Sequence, residues 1–100
     1  MSNGIIHSVI FNLKHETGSD EAKQFLMDGK AILSGIPTVQ NFVVYKQVSA
    51  KNDYSYGFSM YFEDEAAFMA YNEHPDHVAF VRERWETEVT SFLEIDYEQY

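Results

Sequence analysis

The chain has 100 residues, with seven Lys and Arg against sixteen Asp and Glu, which gives a formal net charge of -9. A hydrophobic share of 45%, including eight Phe and seven Tyr, supplies enough apolar mass for a core and excludes general disorder. The acidic balance, with no run of Lys or Arg, argues against nucleic acid and against anionic membranes as partners. The absence of Cys excludes disulfides, thiolate metal sites and thiol catalysis.

The N-terminal segment has no basic stretch, and its apolar run from Ile5 to Leu13 is interrupted by polar residues. This pattern predicts neither a signal peptide nor a membrane span, so we expect a cytoplasmic location. No repeat, linker or low-complexity tract interrupts the chain, which predicts one domain over residues 1–100.

The first predicted element is a strand over residues 5–13, apolar on both faces and therefore central in its sheet. Alternation places His7, Val9, Phe11 and Leu13 on one face. A helix follows, with Ser19 as N-cap and apolar residues at helical spacing as far as Leu33. Gly35 is expected to end this helix as a C′ glycine, shortly before Pro37.

Strands are predicted over residues 39–46 and 54–62, and the second of these places Tyr56, Phe58, Met60 and Phe62 on one face. Asp64 then caps a short helix that carries Tyr71, and His74-Pro75 interrupts it, because a residue before proline disfavours helix. Residues 76–88 are expected to form one helix, and residues 91–97 a fourth strand. The residues expected to face inward from this helix are Val78, Val81, Trp85 and Val89.

This βαββαβ order predicts an α+β fold of ferredoxin-like type with a four-stranded antiparallel sheet. Its helices can cover only one sheet face, although the first three strands are apolar on both faces. The uncovered face would be a large apolar patch, which is typical of an interaction surface. We therefore expect a homodimer in which two sheets pack face to face.

Candidate chemical residues concentrate in the segment Tyr71-Asn72-Glu73-His74-Pro75-Asp76-His77. His77 begins a helix beside Val81 and Trp85, where it is a candidate general base in a pocket between helices and sheet. The alternative, which the spacing alone favours, is a histidine that fixes the turn by hydrogen bonding. Tyr71 is likewise read first as a core ring whose hydroxyl needs a partner.

His7 lies on an apolar strand face, where it is either a satisfied core histidine or a group pointing into the same cavity as Tyr56 and His77. His15 follows Lys14 next to a polar loop and is expected to be solvated. His74, Asp76 and His77 do not have the spacing of a zinc signature, so we expect no built metal site. No phosphate-binding loop or nucleophile elbow is present, and no cofactor is expected.

Several ordered pieces of the chain match one family. They are His7 with Val9-Ile10-Phe11, then Ile36-Pro37, Tyr61-Phe62-Glu63-Asp64-Glu65, Tyr71-Asn72-Glu73-His74-Pro75-Asp76-His77-Val78 and Ile95-Asp96-Tyr97. In these pieces the chain resembles the stress-responsive A/B barrel family, also called dimeric α/β barrel (Dabb) domains. The resemblance implies a dimeric barrel built from two four-stranded sheets.

The chain is also similar to plant polyketide cyclases of this family, and this likeness implies roles for particular residues. Their Tyr and His for aldol condensation match Tyr71 and His77, and their first-strand histidine matches His7. A further pocket histidine of those enzymes is replaced by Tyr56 in this chain. Because most family members have no assigned reaction, membership alone does not establish catalysis.

The first function expected is binding of a small hydrophobic or aromatic molecule between sheet and helices. The expected pocket residues are His7, Tyr56, Phe58, Val81 and Trp85. One alternative is a cofactor-independent polyketide cyclase-like enzyme, with His77 as base and Tyr71 holding the oxyanion. Another is a cofactor-free monooxygenase or haem-degrading enzyme on the same fold. A wide pocket where Tyr71 and His77 converge would favour the cyclase, whereas a filled core would favour a structural role.

Overall fold

A computed structural model describes residues 4–100. Residues 1–3, part of the segment in which we expect no signal sequence, lie outside this range. The strands are β1 (Ile5–Leu13), β2 (Gln40–Lys46), β3 (Tyr56–Phe62) and β4 (Val89–Glu98). The helices are α1 (Asp20–Leu33), α2 (Glu65–Glu73), α3 (Pro75–Phe80) and α4 (Glu86–Glu88), with a π-helical turn over Val81–Trp85 between α3 and α4.

The four strands form one antiparallel sheet in the order β2-β3-β1-β4, which confirms the predicted α+β, ferredoxin-like class. The alternation read from β1 also holds. His7, Val9, Phe11 and Leu13 are buried under the helices, whereas Ile6 on the opposite face is 46% exposed. The helices therefore cover one face of the sheet and leave the other open.

Strand β2 contains an irregularity that the predicted regular strand over residues 39–46 did not include. The pairing with β3 shifts between Gln40 and Val43, and Asn41 between them has a φ of 53°. Asn tolerates this left-handed conformation better than most residues, and a bulge of this kind inserts an extra residue into one strand. Phe42 is thereby brought into ring contact with Phe58, at 5.2 Å between centroids.

Helix α1 begins as predicted, because the Ser19 hydroxyl accepts a hydrogen bond from the backbone N–H of Ala22 at 3.2 Å. Gly35 does not take the left-handed conformation of a C′ glycine: among residues 4–100, Gly18 is the glycine with positive φ. The glycine that matters for packing is Gly29. A Cβ there would lie 2.8 Å from Cζ of Phe58, so the missing side chain lets α1 approach the sheet.

The predicted break at His74-Pro75 is confirmed. His74 has an extended ψ of 135°, its ring accepts a hydrogen bond from the N–H of Asp76, and Pro75 opens α3. The single helix predicted for residues 76–88 is wrong, because the chain widens into the π-helical turn, where the N–H of Glu86 bonds to the carbonyl of Val81. The inward position predicted for Val78 is also wrong, since this side chain is 46% exposed.

Side-chain contacts of Arg84 stabilise this π-helical turn. Its Nε donates to Glu88 at 2.6 Å and its Nη1 donates to Asp28 on α1 at 2.7 Å. These contacts tie the turn both to its own C-terminal end and to the neighbouring helix, which local sequence periodicity does not reveal. Within residues 4–100, every helix is too short or too polar to cross a lipid bilayer.

Candidate functional site

A cavity of about 440 Å³ lies between the sheet and the segment from α2 to α4. Six of the seven predicted site residues line it: His7, Phe58, Tyr71, His77, Val81 and Trp85. The lining also includes residues not predicted for the pocket, among them Asn72, Glu86, Phe92 and Glu94. The size is in the range of natural small-molecule sites, and aromatic rings form much of the wall.

Tyr56 is the predicted pocket residue that the structure places elsewhere. It pairs with Phe11 in the sheet, and its hydroxyl accepts a hydrogen bond from the N–H of Gly18 at 3.1 Å. This bond fixes the loop before α1. Tyr56 begins β3, whereas the cavity-lining residue Met60 lies four residues further along the same strand. Strand alternation correctly gave the face of Tyr56 but carried no information about where along that face the cavity begins.

His77 is held by its local backbone. Its Nδ1 lies 3.0 Å from the carbonyl oxygen of Asn72, and because a carbonyl can only accept, Nδ1 carries the proton. Nε2 of the neutral ring is then the basic nitrogen. Burial lowers the pKa of His77 from its ordinary value of 6.5, and the charge of nearby His7 lowers it further, while the bond to Asn72 opposes both. His77 is therefore a neutral base at pH 7.

Tyr71 lies against His77, with ring centroids 4.4 Å apart, and is itself almost completely buried. Burial raises the pKa of the Tyr71 phenol well above its ordinary value of 10, and the negative charge of Glu94 acts in the same direction. The hydroxyl consequently stays protonated at neutral pH and acts as a hydrogen-bond donor. A donor and a base thus stand side by side on one wall.

His7 lines the cavity from the sheet. Its Nδ1 lies 2.5 Å from a carboxylate oxygen of Asp96, its cross-strand partner on β4, and only 6% of the residue is exposed. Its ring packs at 5.1 Å from Phe68 and 6.1 Å from Tyr71. His7 is therefore both a satisfied buried histidine, as the first reading had it, and a cavity-lining group, as the second had it.

Glu94 is the cavity residue that sequence reasoning missed with the most consequence. It lies directly opposite Val9 in the pairing of β1 and β4, and its charge acts on both Tyr71 and His77. The signal was present, since the alternation of β4 puts Phe92, Glu94 and Asp96 on one face. What was lacking was the knowledge that this face lies next to the hollow part of the interior.

The histidines outside the cavity serve local structure. His74 caps α3 while His77 points to Asn72, so these two rings do not converge on one point. In the part of the chain that the structure describes, no three His, Asp or Glu side chains are grouped to hold a metal ion. The prediction that His15 is solvated is wrong, because it is partly buried and its Nε2 lies 2.7 Å from Glu88.

The fold and cavity define a ferredoxin-like α+β protein with a ligand-sized space between its sheet and helices. Residues 5–99 match the model of the Stress responsive A/B Barrel Domain, Dabb. The chain belongs to this family, as its motifs had indicated.

Solved structures of similar proteins agree with this assignment. A Dabb family protein with a ferredoxin-like fold from Mesorhizobium loti is 56% identical, with 97% of each chain covered and a TM-score of 0.96. A dimeric ferredoxin-like protein of unknown function from Jannaschia sp. is 25% identical, covers 96% of this chain and 99% of its own, and has a TM-score of 0.76. No curated protein matches the chain.

One similar structure is that of an enzyme. The hydroxynitrile lyase from Passiflora edulis has a TM-score of 0.85 over 100% of this chain and 96% of its own, at 12% identity. At that identity the likeness concerns the fold alone.

Proposed function

We propose that the cavity binds a small aromatic or otherwise apolar carbonyl compound and that His77 and Tyr71 catalyse proton transfer next to its carbonyl group. The observation that carries this proposal is the contact between the neutral imidazole of His77 and the protonated phenol of Tyr71, whose ring centroids are 4.4 Å apart. Both residues line the cavity of about 440 Å³. This arrangement supplies the two groups that removal of a proton α to a carbonyl requires, a base and an oxyanion donor.

In the proposed reaction, the substrate carbonyl oxygen accepts a hydrogen bond from the Tyr71 hydroxyl. Nε2 of His77 removes a proton from the adjacent carbon, and the C–H electron pair moves into the enolate, whose oxygen Tyr71 stabilises. The enolate carbon then attacks a second carbonyl of the same molecule, forming a carbon–carbon bond. The resulting alkoxide takes the proton from the His77 imidazolium, so that the enzyme returns to its starting state in an aldol-type cyclisation.

The fold is compatible with an enzyme. The Passiflora edulis protein of this fold is a hydroxynitrile lyase, so the architecture accommodates an enzyme active site. The apolar aromatic lining favours a ligand with an aromatic or hydrocarbon body, and this part of the proposal stands for a binding protein as well as for an enzyme.

The test is a ligand screen followed by a turnover assay. Aromatic and polyketide-like carbonyl compounds are screened by thermal shift against the wild type, His77→Ala and Tyr71→Phe, and binders are then followed for product formation. We expect product from the wild type and its loss in both variants. His74→Asn, which keeps a good helix cap outside the cavity, is the control and should behave as wild type. Binding without product in the wild type would reduce the proposal to a binding protein, and absence of any binder would contradict both forms.

We further propose that the chain forms a homodimer through the open face of its sheet, giving a dimeric α/β barrel. Five large apolar side chains on this face are 37–54% exposed: Ile6, Val43, Tyr45, Leu93 and Tyr97. Their strand register places them together, opposite the helices. A patch of this kind favours burial against a second copy, and the similar protein from Jannaschia sp. is described as dimeric.

Light scattering at micromolar concentration tests the assembly. We expect a mass of two chains for the wild type, and a shift towards one chain for Val43→Asp, because a buried carboxylate in a sheet interface lacks a partner. Val48→Asp makes the same change at an 88% exposed position outside the strands and should remain dimeric. A monomeric wild type would contradict the proposed assembly.

A further inference from the structure

The ionisable side chains that line the cavity include carboxylates and imidazoles but no Lys or Arg. Glu86 and Glu94 line it as carboxylates, together with the imidazoles of His7 and His77. None of the chain's seven Lys and Arg residues lines it, and all seven lie within the described residues. The chain as a whole carries a formal net charge of -9, so the protein is acidic overall as well as at the cavity.

Arg82 and Arg84 are the cations nearest in sequence to the cavity wall, since they adjoin the lining residues Val81 and Trp85. The exposed Arg82 guanidinium lies 4.0 Å from Glu83, and that of Arg84 is neutralised by Asp28 and Glu88, at 2.7 Å and 2.6 Å. No ion pair within residues 4–100 neutralises Glu94 in the same way. The Glu94 carboxylate thus contributes an uncompensated negative charge to the cavity.

Glu94 differs from the other nearby carboxylates in what its charge reaches. Asp96 is bound to the ring of His7 at 2.5 Å and is occupied by that contact. The charge of Glu94 acts on both Tyr71 and His77, the two groups proposed to meet the ligand's carbonyl. Glu94 is an exposed residue of the lining, so a charge on the ligand near these groups would interact with its carboxylate through space that water reaches, most strongly at low ionic strength.

From this distribution we infer that the cavity accepts neutral carbonyl compounds and rejects their carboxylate analogues, and that Glu94 imposes this selectivity. The inference rests on the proposed function, because it assigns a charge class to the ligand of the same cavity. An anionic ligand meets like charge at Glu94 and finds no Lys or Arg on the wall to offset the loss of its hydration. A neutral ligand escapes this repulsion and still gains the apolar contacts and the Tyr71 hydroxyl.

Pairs of aryl ketones that differ in one group test the inference. In the first pair, 4-acetylbenzamide is neutral and 4-acetylbenzoate is an anion of nearly the same size and the same ketone. Further pairs extend the ring by one and two carbons with the same amide-to-carboxylate change. Dissociation constants are measured by titration calorimetry on the full chain at low ionic strength, where surface screening is weak.

We expect the wild type to bind each amide about tenfold or more tightly than its carboxylate partner, as a charge repulsion of about 1.4 kcal/mol would produce. Glu94→Gln keeps the size of the side chain and should lower this ratio, mainly by tightening carboxylate binding, while Glu86 still lines the cavity. Glu83→Gln removes the same charge from an exposed residue outside the cavity lining and should leave the ratio as in the wild type. Circular dichroism of both variants verifies that they are folded.

The outcomes separate the inference from the function on which it rests. Equal binding of amides and carboxylates by the wild type, or a ratio unchanged in Glu94→Gln, would overturn the charge selectivity while leaving a carbonyl-binding cavity in place. A ratio that Glu83→Gln lowers as much as Glu94→Gln would assign the effect to net charge and would also overturn the role of Glu94. If no member of any pair binds, the proposed function fails and the inference fails with it.

Discussion

The space between the helices and the sheet is filled at one end and hollow at the other. At the filled end, Phe11 and Phe25 pack ring against ring with Phe58 and Trp85, which also line the cavity, and the ring centroids are 4.9 Å to 6.4 Å apart. At the hollow end, the polar residues His7, Tyr71 and His77 line a cavity. Both ends are covered by helices of the same chain, so the difference comes from the side chains and the path of the backbone.

Two tyrosines of the buried face illustrate the contrast. The hydroxyl of Tyr56 accepts a hydrogen bond from Gly18 and so fastens a loop at the filled end. Tyr71 lies equally deep but presents its ring to His77 and lines the cavity. A tyrosine thus stabilises a loop in one place and is a candidate reactive group in the other. The extent of burial does not distinguish the two roles.

The backbone accounts for much of the difference. At the filled end, Gly29 lets α1 come close to Phe58, so rings from helix and sheet meet. At the hollow end, the extended residue His74 interrupts the helical segment, and the edge strand β4 contributes Glu94 to the cavity lining. Hollow space is kept where the helix is broken and where the strand supplies a charged side chain, because a carboxylate does not collapse into an apolar core.

The largest expected effect concerns the filled end. Phe25→Ala removes a ring that is completely buried among other aromatic residues, and should lower the free energy of unfolding by about 3–5 kcal/mol. Urea denaturation followed by fluorescence measures it. Val78→Ala, at a 46% exposed helical position, is the control and should change stability little. If Phe25→Ala lowers the free energy of unfolding less than Val78→Ala does, the rings at the filled end are not tightly packed.

A smaller effect is expected when each tyrosine loses its hydroxyl. One variant should lose stability and the other should lose turnover. Tyr56→Phe leaves the Gly18 N–H without its partner and should lower the free energy of unfolding by about 1 kcal/mol without altering ligand binding. Tyr71→Phe keeps the ring packing, so we expect stability near that of the wild type together with loss of turnover. Parallel denaturation and activity assays compare them. If both variants lose stability and keep activity, Tyr71 is structural as well.

The smallest expected effect is the pH dependence contributed by His77. Burial lowers the pKa of His77 in the folded chain below the value of 6.5 that it has when unfolded, so the unfolded chain binds its proton first as pH falls. The contribution of His77 to the free energy of unfolding is therefore complete above about pH 6.5, and it is lost as the pH falls towards the pKa of His77 in the folded chain. His77→Gln should flatten the stability profile in that window. An unchanged slope, measured by urea denaturation from pH 5 to pH 7.5, would contradict a depressed pKa.

Local sequence signals predicted most of the fold. Strand alternation in β1, the caps Ser19 and Asp64, and the break at His74-Pro75 depend on neighbouring residues, and each is confirmed. The bulge at Asn41 and the π-helical turn were missed, because they depend on pairing with β3 and on the contact between Arg84 and Asp28. Periodicity within one element contains neither.

The part of the candidate site that depends on neighbouring residues was also predictable, and the part that depends on distant strands was not. Tyr71 and His77 flank one break in the helices, so a local reading brought them together. Glu94 joins them from a strand far along the chain, and its place depends on the register of β4 against β1. The position of Tyr56 also depended on distant structure, since its hydrogen-bond partner Gly18 precedes it by thirty-eight residues.

The π-helical turn makes one wall of the cavity adjustable in length. Because its bonds run from residue i to i+5, the residues four and five positions after Val81 lie on either side of it, which brings Trp85 and Glu86 to the cavity together. Removal of one residue from this turn would restore an ordinary α-helical repeat and leave the residues after the turn close to their present orientation. The strands would keep their register while the cavity exchanged one lining side chain for another. A single insertion or deletion at this turn would therefore give the same sheet a differently shaped binding space.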